Sequence, residues 1–297
     1  MLGAGGYFIA MTEYDNTHDV TVDNLIFDGG GISLDGAHVP ALSVRISNCT
    51  FQNIVTVSEN WTVHNALFLP SGLRNGSIVN NSFRNILDGG QAKPADTNAT
   101  GMAAWGLDHV TFSGNRFDTV NECVHVSFQQ KWPSSQVVFS HNTGIHVHRM
   151  GLEMQYANTA GLMVEENRFS DFLNPYWNTF GLSIATDGSP DNVVRNNTIL
   201  GLQPPESPLK YGIGIEIGGI HTTVEGNIVE GQFSIGIGLG TAPQAIVRNN
   251  LACGSPGTMK IVAYLRPQPQ AVFQDNVQGL DCKSLRFQRE QQVASAN

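Results

Sequence analysis

One phrase recurs from end to end of this chain and restricts its fold more than any other feature. It is a short β-type run closing on asparagine, with an apolar residue just after. It opens as Val22-Asp-Asn-Leu-Ile-Phe27, Ile46-Ser-Asn-Cys-Thr-Phe51, Val79-Asn-Asn-Ser-Phe83 and Phe112-Ser-Gly-Asn-Arg-Phe117. Phe139-Ser-His-Asn142, Val164-Glu-Glu-Asn-Arg-Phe169 and Val194-Arg-Asn-Asn-Thr-Ile199 continue it, and Asn227, Asn250 and Asn276 complete ten occurrences. The steps between these asparagines run from 23 residues (Asn227 to Asn250) to 34 (Asn81 to Asn115). A unit of that length, repeated this often, indicates a solenoid whose coils bury their apolar faces only against their neighbours. The unequal steps place the variation in loops between constant strands.

Longer strands lie between these phrases. Tyr211-Gly-Ile-Gly-Ile-Glu-Ile-Gly218 and Phe233-Ser-Ile-Gly-Ile-Gly-Leu239 alternate apolar with small or polar residues, as half-buried strands do. The spacing predicts an all-β solenoid domain over 1–283. The polar stretch 284–297 follows as a tail or a cap, with Lys283–Gln292 compatible with a short helix. Stacked coils pair each strand with its copy about 4.8 Å away. An inward asparagine at the same turn of every coil then passes its amide hydrogen bond along the stack, a structural role.

With its inward asparagines, its inward aliphatic and phenylalanine stacks and three short strands per coil, the chain resembles the pectin-lyase-like superfamily from residue 7 to about 283. The resemblance implies one right-handed parallel β-helix of about ten coils. For activity it implies only a range: polysaccharide lyases, glycoside hydrolases, uronan epimerases, esterases, phage tailspikes and adhesins. The Gly-His-Gly motif with the Asp pairs of polygalacturonases is absent. So are the Arg-x-Pro-x-x-Arg of pectate lyases and the Asp-Pro-His-Asp of alginate epimerases. No residue roles carry over from those branches.

A net charge of −9 argues against nucleic acid as a partner and, more mildly, against a polyanionic substrate. No apolar run is long enough to span a membrane. The first residues lack the pattern of a secretion signal and begin inside a coil. The expectation is a missing upstream segment, or self-association at the uncapped first coil. A secreted or cell-surface location follows from the resemblance alone. Cys253 and Cys282 fall in neighbouring coils, so a bridge and two free thiols are both open, while Cys49 and Cys123 read as buried small residues.

Function has to come from outward positions. Taking Val124, Val126 and Phe128 as inward, with their counterparts Leu152, Met154, Leu182, Ile184, Ile213, Ile215, Ile217, Ile235, Ile237 and Leu239, leaves a strip on the other face. That strip contains His125 and Ser127, Glu153 and Gln155, Ser183 and Ala185, Gly214 and Glu216, Gly236 and Gly238. It is polar only in the middle coils. Glu153 and Glu216 lie two coils apart, about 10 Å by strand spacing, with Asp187 on the coil between. Carboxylates at such separations suit glycoside hydrolysis. The predicted catalytic set is Glu153, Glu216, Asp187, His125 and Arg149; elimination or epimerisation would instead use a base and a cation from among His125, Arg149, His148, Lys131 and Lys210. Long loops supply Lys131, Trp132, Tyr156, Tyr176, Trp177, Lys210 and Tyr211, which with Gln155 make the expected substrate contacts. His146 and His148 share a strand face by spacing, but with no carboxylate pattern beside them no metal site is predicted. No cofactor is expected either, calcium entering only for a lyase. Arg149 is also placed to hold Glu153 in a purely structural pair.

The sequence therefore points to a carbohydrate-active enzyme cleaving a polysaccharide, with hydrolysis favoured. Lyase or epimerase chemistry is the first alternative, and a non-catalytic carbohydrate-binding or adhesive solenoid the second.

Overall fold

The computed structural model describes residues 6–11, 17–35, 39–56, 65–88, 99–127, 134–155, 159–172, 178–185, 190–201, 211–265 and 267–296. The β-type runs form strands that pair in parallel with their copies one coil away. Each full coil carries one strand before the inward asparagine, one after it, and a longer third strand; Val193–Arg195, Thr198–Gly201 and Tyr211–Ile217 make one such coil. In two coils the second and third strands run together as Arg116–Ser127 and Thr143–Gln155. Equivalent residues keep register, so like stacks on like. Phe27, Phe51, Phe83 and Phe117 form a column of parallel rings with centroids 4.9, 5.1 and 4.8 Å apart, the strand spacing itself.

The asparagine ladder runs through Asn81, Asn115, Asn142, Asn167, Asn197, Asn227, Asn250 and Asn276. Asn142 shows the pattern. Its Oδ1 accepts from the backbone N–H and side-chain amide of Asn115, and its Nδ2 donates to the carbonyl of Phe112 and to Asn167 Oδ1. Each buried turn is thus satisfied by the next coil.

Asn24 and Asn48, expected in the ladder, stand one position before it. They are exposed, with φ of 56° and 55°, in the left-handed position that Asn80, Asn196 and Asn249 fill in later coils. That conformation suits asparagine's short side chain. The ladder position itself is taken by Cys49, whose N–H donates to Asn81 Oδ1 at 2.9 Å and whose thiol reaches the Val22 carbonyl at 3.7 Å.

The polar C-terminal stretch is a helix, Cys282–Ala296. A Cys253–Cys282 disulfide ties its first residue to the strand Leu251–Cys253. Arg286 pairs with Glu230, and Arg289 donates to the Gly226 carbonyl at 2.6 Å. The helix therefore reaches back along the flank of the stack. Among the described residues, no helix is long and apolar enough to cross a membrane.

Candidate functional site

The third strands place one residue of each coil in a column on their outer face. In register these are Ser33, Phe68, Ala103, His125, Glu153, Ser183, Glu216, Gly238 and Val262. His125, Glu153, Ser183 and Glu216 hold four consecutive positions, as the alternation predicts.

Alternation fails at the corner where the third strand begins. Cys123 and Val124 are consecutive and both belong to the core. In the coils below, the Cys123 position is Gly151, Gly181, Gly214 and Gly236. A Cβ there would strike Phe169, Ile199 or Val229 at 2.7 Å or less in three of them, so this position faces inward. Gly214 and Gly236 are therefore core-facing rather than outward. Two inward residues in a row reset the phase, and Glu122 emerges on the same side as His125. Ile213 and Ile235, expected inward, share Glu122's column.

Glu122 is completely buried and completes a cluster that spacing alone missed. Nδ1–H of His125 is shared between Glu122 Oε1 at 3.2 Å and Glu153 Oε2 at 2.8 Å. Arg149 Nη1 stands 3.5 Å from Glu122 Oε2, so its closest carboxylate is Glu122 rather than Glu153. Gln155 donates to the other Glu153 oxygen. Burial, reinforced by the charge of Glu153, pushes Glu122 up to about 7. Burial also opposes charge on Glu153, but the hydrogen bond and charge of His125 and the charge of Arg149 outweigh it and hold this carboxyl at about 2. For His125 burial is again overcome, here by Glu122 and Glu153, and its pKa rises to about 10. Two neighbouring carboxyls thus sit in opposite environments, an arrangement found both in sites that hold and move a proton and in structural ion networks.

Two rungs along, Glu216 is held by neutral groups. Ser183 Oγ donates to its Oε2 at 2.6 Å, and the Tyr264 hydroxyl donates to its Oε1. Tyr264 lies beyond the strand Ile261–Ala263 and reaches back over Gly238. Sequence reasoning missed it, although a bare glycine in an otherwise polar column is a signal that a neighbour's side chain needs the room.

Donor atoms of Glu122, His125 and Glu153 lie within 4.8 Å of one another and are the described residues best placed to hold a cation. The charges of His125 and Arg149 already balance the two carboxylates. At His146, whose φ is 52°, the backbone takes the left-handed conformation between the two histidines that spacing placed on one face. His146 is exposed, 3.3 Å from Asp118, while burial, and then the charge of His146, lowers the pKa of His148. Asp187, Lys131, Trp132, Tyr156, Tyr176, Trp177 and Lys210 lie outside the described residues, as does the side chain of Tyr211.

The family described as "right handed beta helix region" matches this chain over residues 10–171 and 143–252. The chain belongs to that family. Two solved structures share this right-handed β-helix. The DFA-IIIase from Arthrobacter chlorophenolicus A6, in complex with GF2, superposes with a TM-score of 0.52 at 13% identity, covering 91% of this chain and 59% of that one. PfbA, a surface adhesin of Streptococcus pneumoniae, gives 0.54 at 11% identity, covering 84% and 67%. The β-helix protein described here thus spans well under two thirds of the DFA-IIIase. Comparison with curated protein sequences finds no match. A fold common to an enzyme and an adhesin leaves function to the column itself.

Proposed function

We infer that the protein is a glycoside hydrolase acting on a neutral glycan laid along the column from His125 to Glu216. The observation that carries this reading is the register. Two carboxylates stand on one outer face two strands apart, about 10 Å of backbone, with only a serine between them. That backbone interval lies close to the carboxyl separation of about 6.5 to 9.5 Å used by inverting enzymes, where a water fits on the far side of the sugar.

Their surroundings divide the labour. Both Glu216 oxygens accept from hydroxyls, which aims this carboxylate as the base that activates water. Glu153 is 2% exposed and works through His125, the more accessible member of its pair and the holder of the proton for the leaving oxygen. Negative charge on Glu216, beside a cluster that is already balanced, favours the oxocarbenium-like transition state and disfavours a uronate substrate. The Cys253–Cys282 disulfide fits an oxidising, extracytoplasmic setting.

One observation favours a second reading, a carbohydrate-binding or adhesive solenoid. His125, Arg149, Glu122 and Glu153 are paired among themselves, as in a structural ion network.

The test incubates neutral and acidic polysaccharides with the protein, Glu216→Gln and His125→Gln. New reducing ends and the ultraviolet absorbance of an unsaturated uronate are both followed. Reducing ends without absorbance, lost in both variants, are the expected result. Absorbance would move the protein to the lyases. Retention of a glycan with no turnover would establish the binding solenoid.

A further inference from the structure

Gly238 follows Glu216 in the column and Val262 follows Gly238. A side chain at position 238 would continue the strip. Instead the Tyr264 ring occupies that place: a Cβ on Gly238 would lie 2.8 Å from Tyr264 Cδ1 and 3.1 Å from Cε1. The backbone N–H of Tyr264 donates to the Leu239 carbonyl at 3.1 Å, which fixes where the side chain starts. From there the hydroxyl reaches across the coil to Glu216 Oε1, while Ser183 holds Oε2 from the opposite side. The ring is partly exposed, with its inner side against a residue that has no side chain.

We propose that Tyr264 forms the sugar subsite beside Glu216, its ring the platform for the C–H face of a pyranose and its hydroxyl the group that positions the carboxylate. The proposal rests on the hydrolase reading of the column and names the contact that places substrate within it. An aromatic face against a sugar's axial hydrogens requires a flat ring that is held still. A carboxylate clamped through both oxygens has one orientation toward an attacking water, and misplacement on the ångström scale costs up to about 100-fold in rate. Gly238 belongs to the subsite because any larger residue lifts the ring.

Three variants separate the two roles, assayed on whichever neutral glycan of the panel yields reducing ends. Tyr264→Phe keeps the ring and removes the donor. It is expected to lower kcat about 10- to 100-fold with KM near wild type. Tyr264→Leu removes both and adds a rise in KM of about 3- to 10-fold, the loss of one stacking contact. Gly238→Ala alters no titratable group and is expected to reproduce the kcat loss by displacing the ring. Combining it with Tyr264→Phe should cost little more than either alone.

Wild-type kcat in Tyr264→Phe would overturn the positioning role. An unchanged KM in Tyr264→Leu would overturn the platform. Either result leaves the hydrolase reading intact if Glu216→Gln is inactive. A fully active Glu216→Gln, or a panel that stays silent with the wild-type protein, would remove that reading and the subsite with it. Melting curves accompany each variant, and a kcat loss in Tyr264→Phe that tracked a fall in melting temperature would count against positioning.

Discussion

Two polar lines run along this solenoid, one inside and one outside, and they are satisfied in opposite ways. The inner line repeats a single residue. Asn115, Asn142 and Asn167 each give to the next coil what they receive from the last. The outer line changes at every rung from His125 to Glu153, Ser183, Glu216 and Gly238, and its partners are unlike themselves: Glu122, Arg149, Tyr264. Repetition satisfies a turn. Departure from repetition leaves groups with directions and charges that stacking alone does not explain.

Substituting one member of each line is the strongest way to break the contrast. Glu216→Gln should lower turnover by about 1,000-fold while leaving the melting temperature close to wild type, because the amide oxygen still accepts from one hydroxyl and the other hydroxyl can turn to accept from the amide NH2. Asn142→Leu should do the reverse. It strands the amides of Asn115 and the Phe112 carbonyl and should cost about 4 kcal/mol in urea unfolding, with activity retained in the folded fraction. A large activity loss in the ladder variant, at temperatures where it stays folded, would erase the distinction.

Arg149→Met comes next. It leaves Glu122 buried with His125, shared with Glu153, as its one remaining cation among the described residues, and should cost about 3 kcal/mol at pH 8. The cost should shrink as the pH falls below about 7, where Glu122 takes up a proton. A cost independent of pH would mean that Arg149 acts only by packing.

The two lines should also differ in how stability responds to pH. Glu153 is depressed from 4.5 to about 2, so its contribution is present above 4.5 and is lost as pH falls toward 2. Glu122 is raised from 4.5 to about 7 and His125 from 6.5 to about 10, so theirs is present at low pH and is lost through 4.5–7 and 6.5–10 respectively. The cluster should therefore stabilise most near pH 4.5 and progressively less on either side. His125→Gln should flatten the alkaline limb, whereas Asn142→Leu, which alters no titratable group, should run parallel to the wild-type curve. Denaturant midpoints across pH 3–10 would decide it.

The smallest effect is expected at the ladder's natural end. Cys49→Asn supplies the amide missing beside Asn81 and should be neutral or stabilising by up to about 1 kcal/mol in thermal unfolding.

What the sequence made legible follows the same division. The fold could be read because each coil repeats the demand of the one before, so Asn142 and Asn167 identify each other. The column could be read as far as strict alternation holds, which brought out His125, Glu153 and Glu216. Glu122 was hidden because Cys123 and Val124 both turn inward at the corner, a break in phase set by three-dimensional packing. Its one local signal was a carboxylate standing directly before two core residues. Tyr264 was hidden because it belongs to a later coil and enters through space left by a glycine. Asn24 and Asn48 misled for a related reason: the same residue type serves both the left-handed turn and the ladder position next to it.

The parallel register has a further consequence. Groups on the column are spaced in whole strand intervals of about 4.8 Å, so the stack acts as a ruler with fixed graduations. Point substitutions can change what stands at a mark, and side chains can lean between marks. The distance from one mark to another, however, changes only when an entire coil is gained or lost.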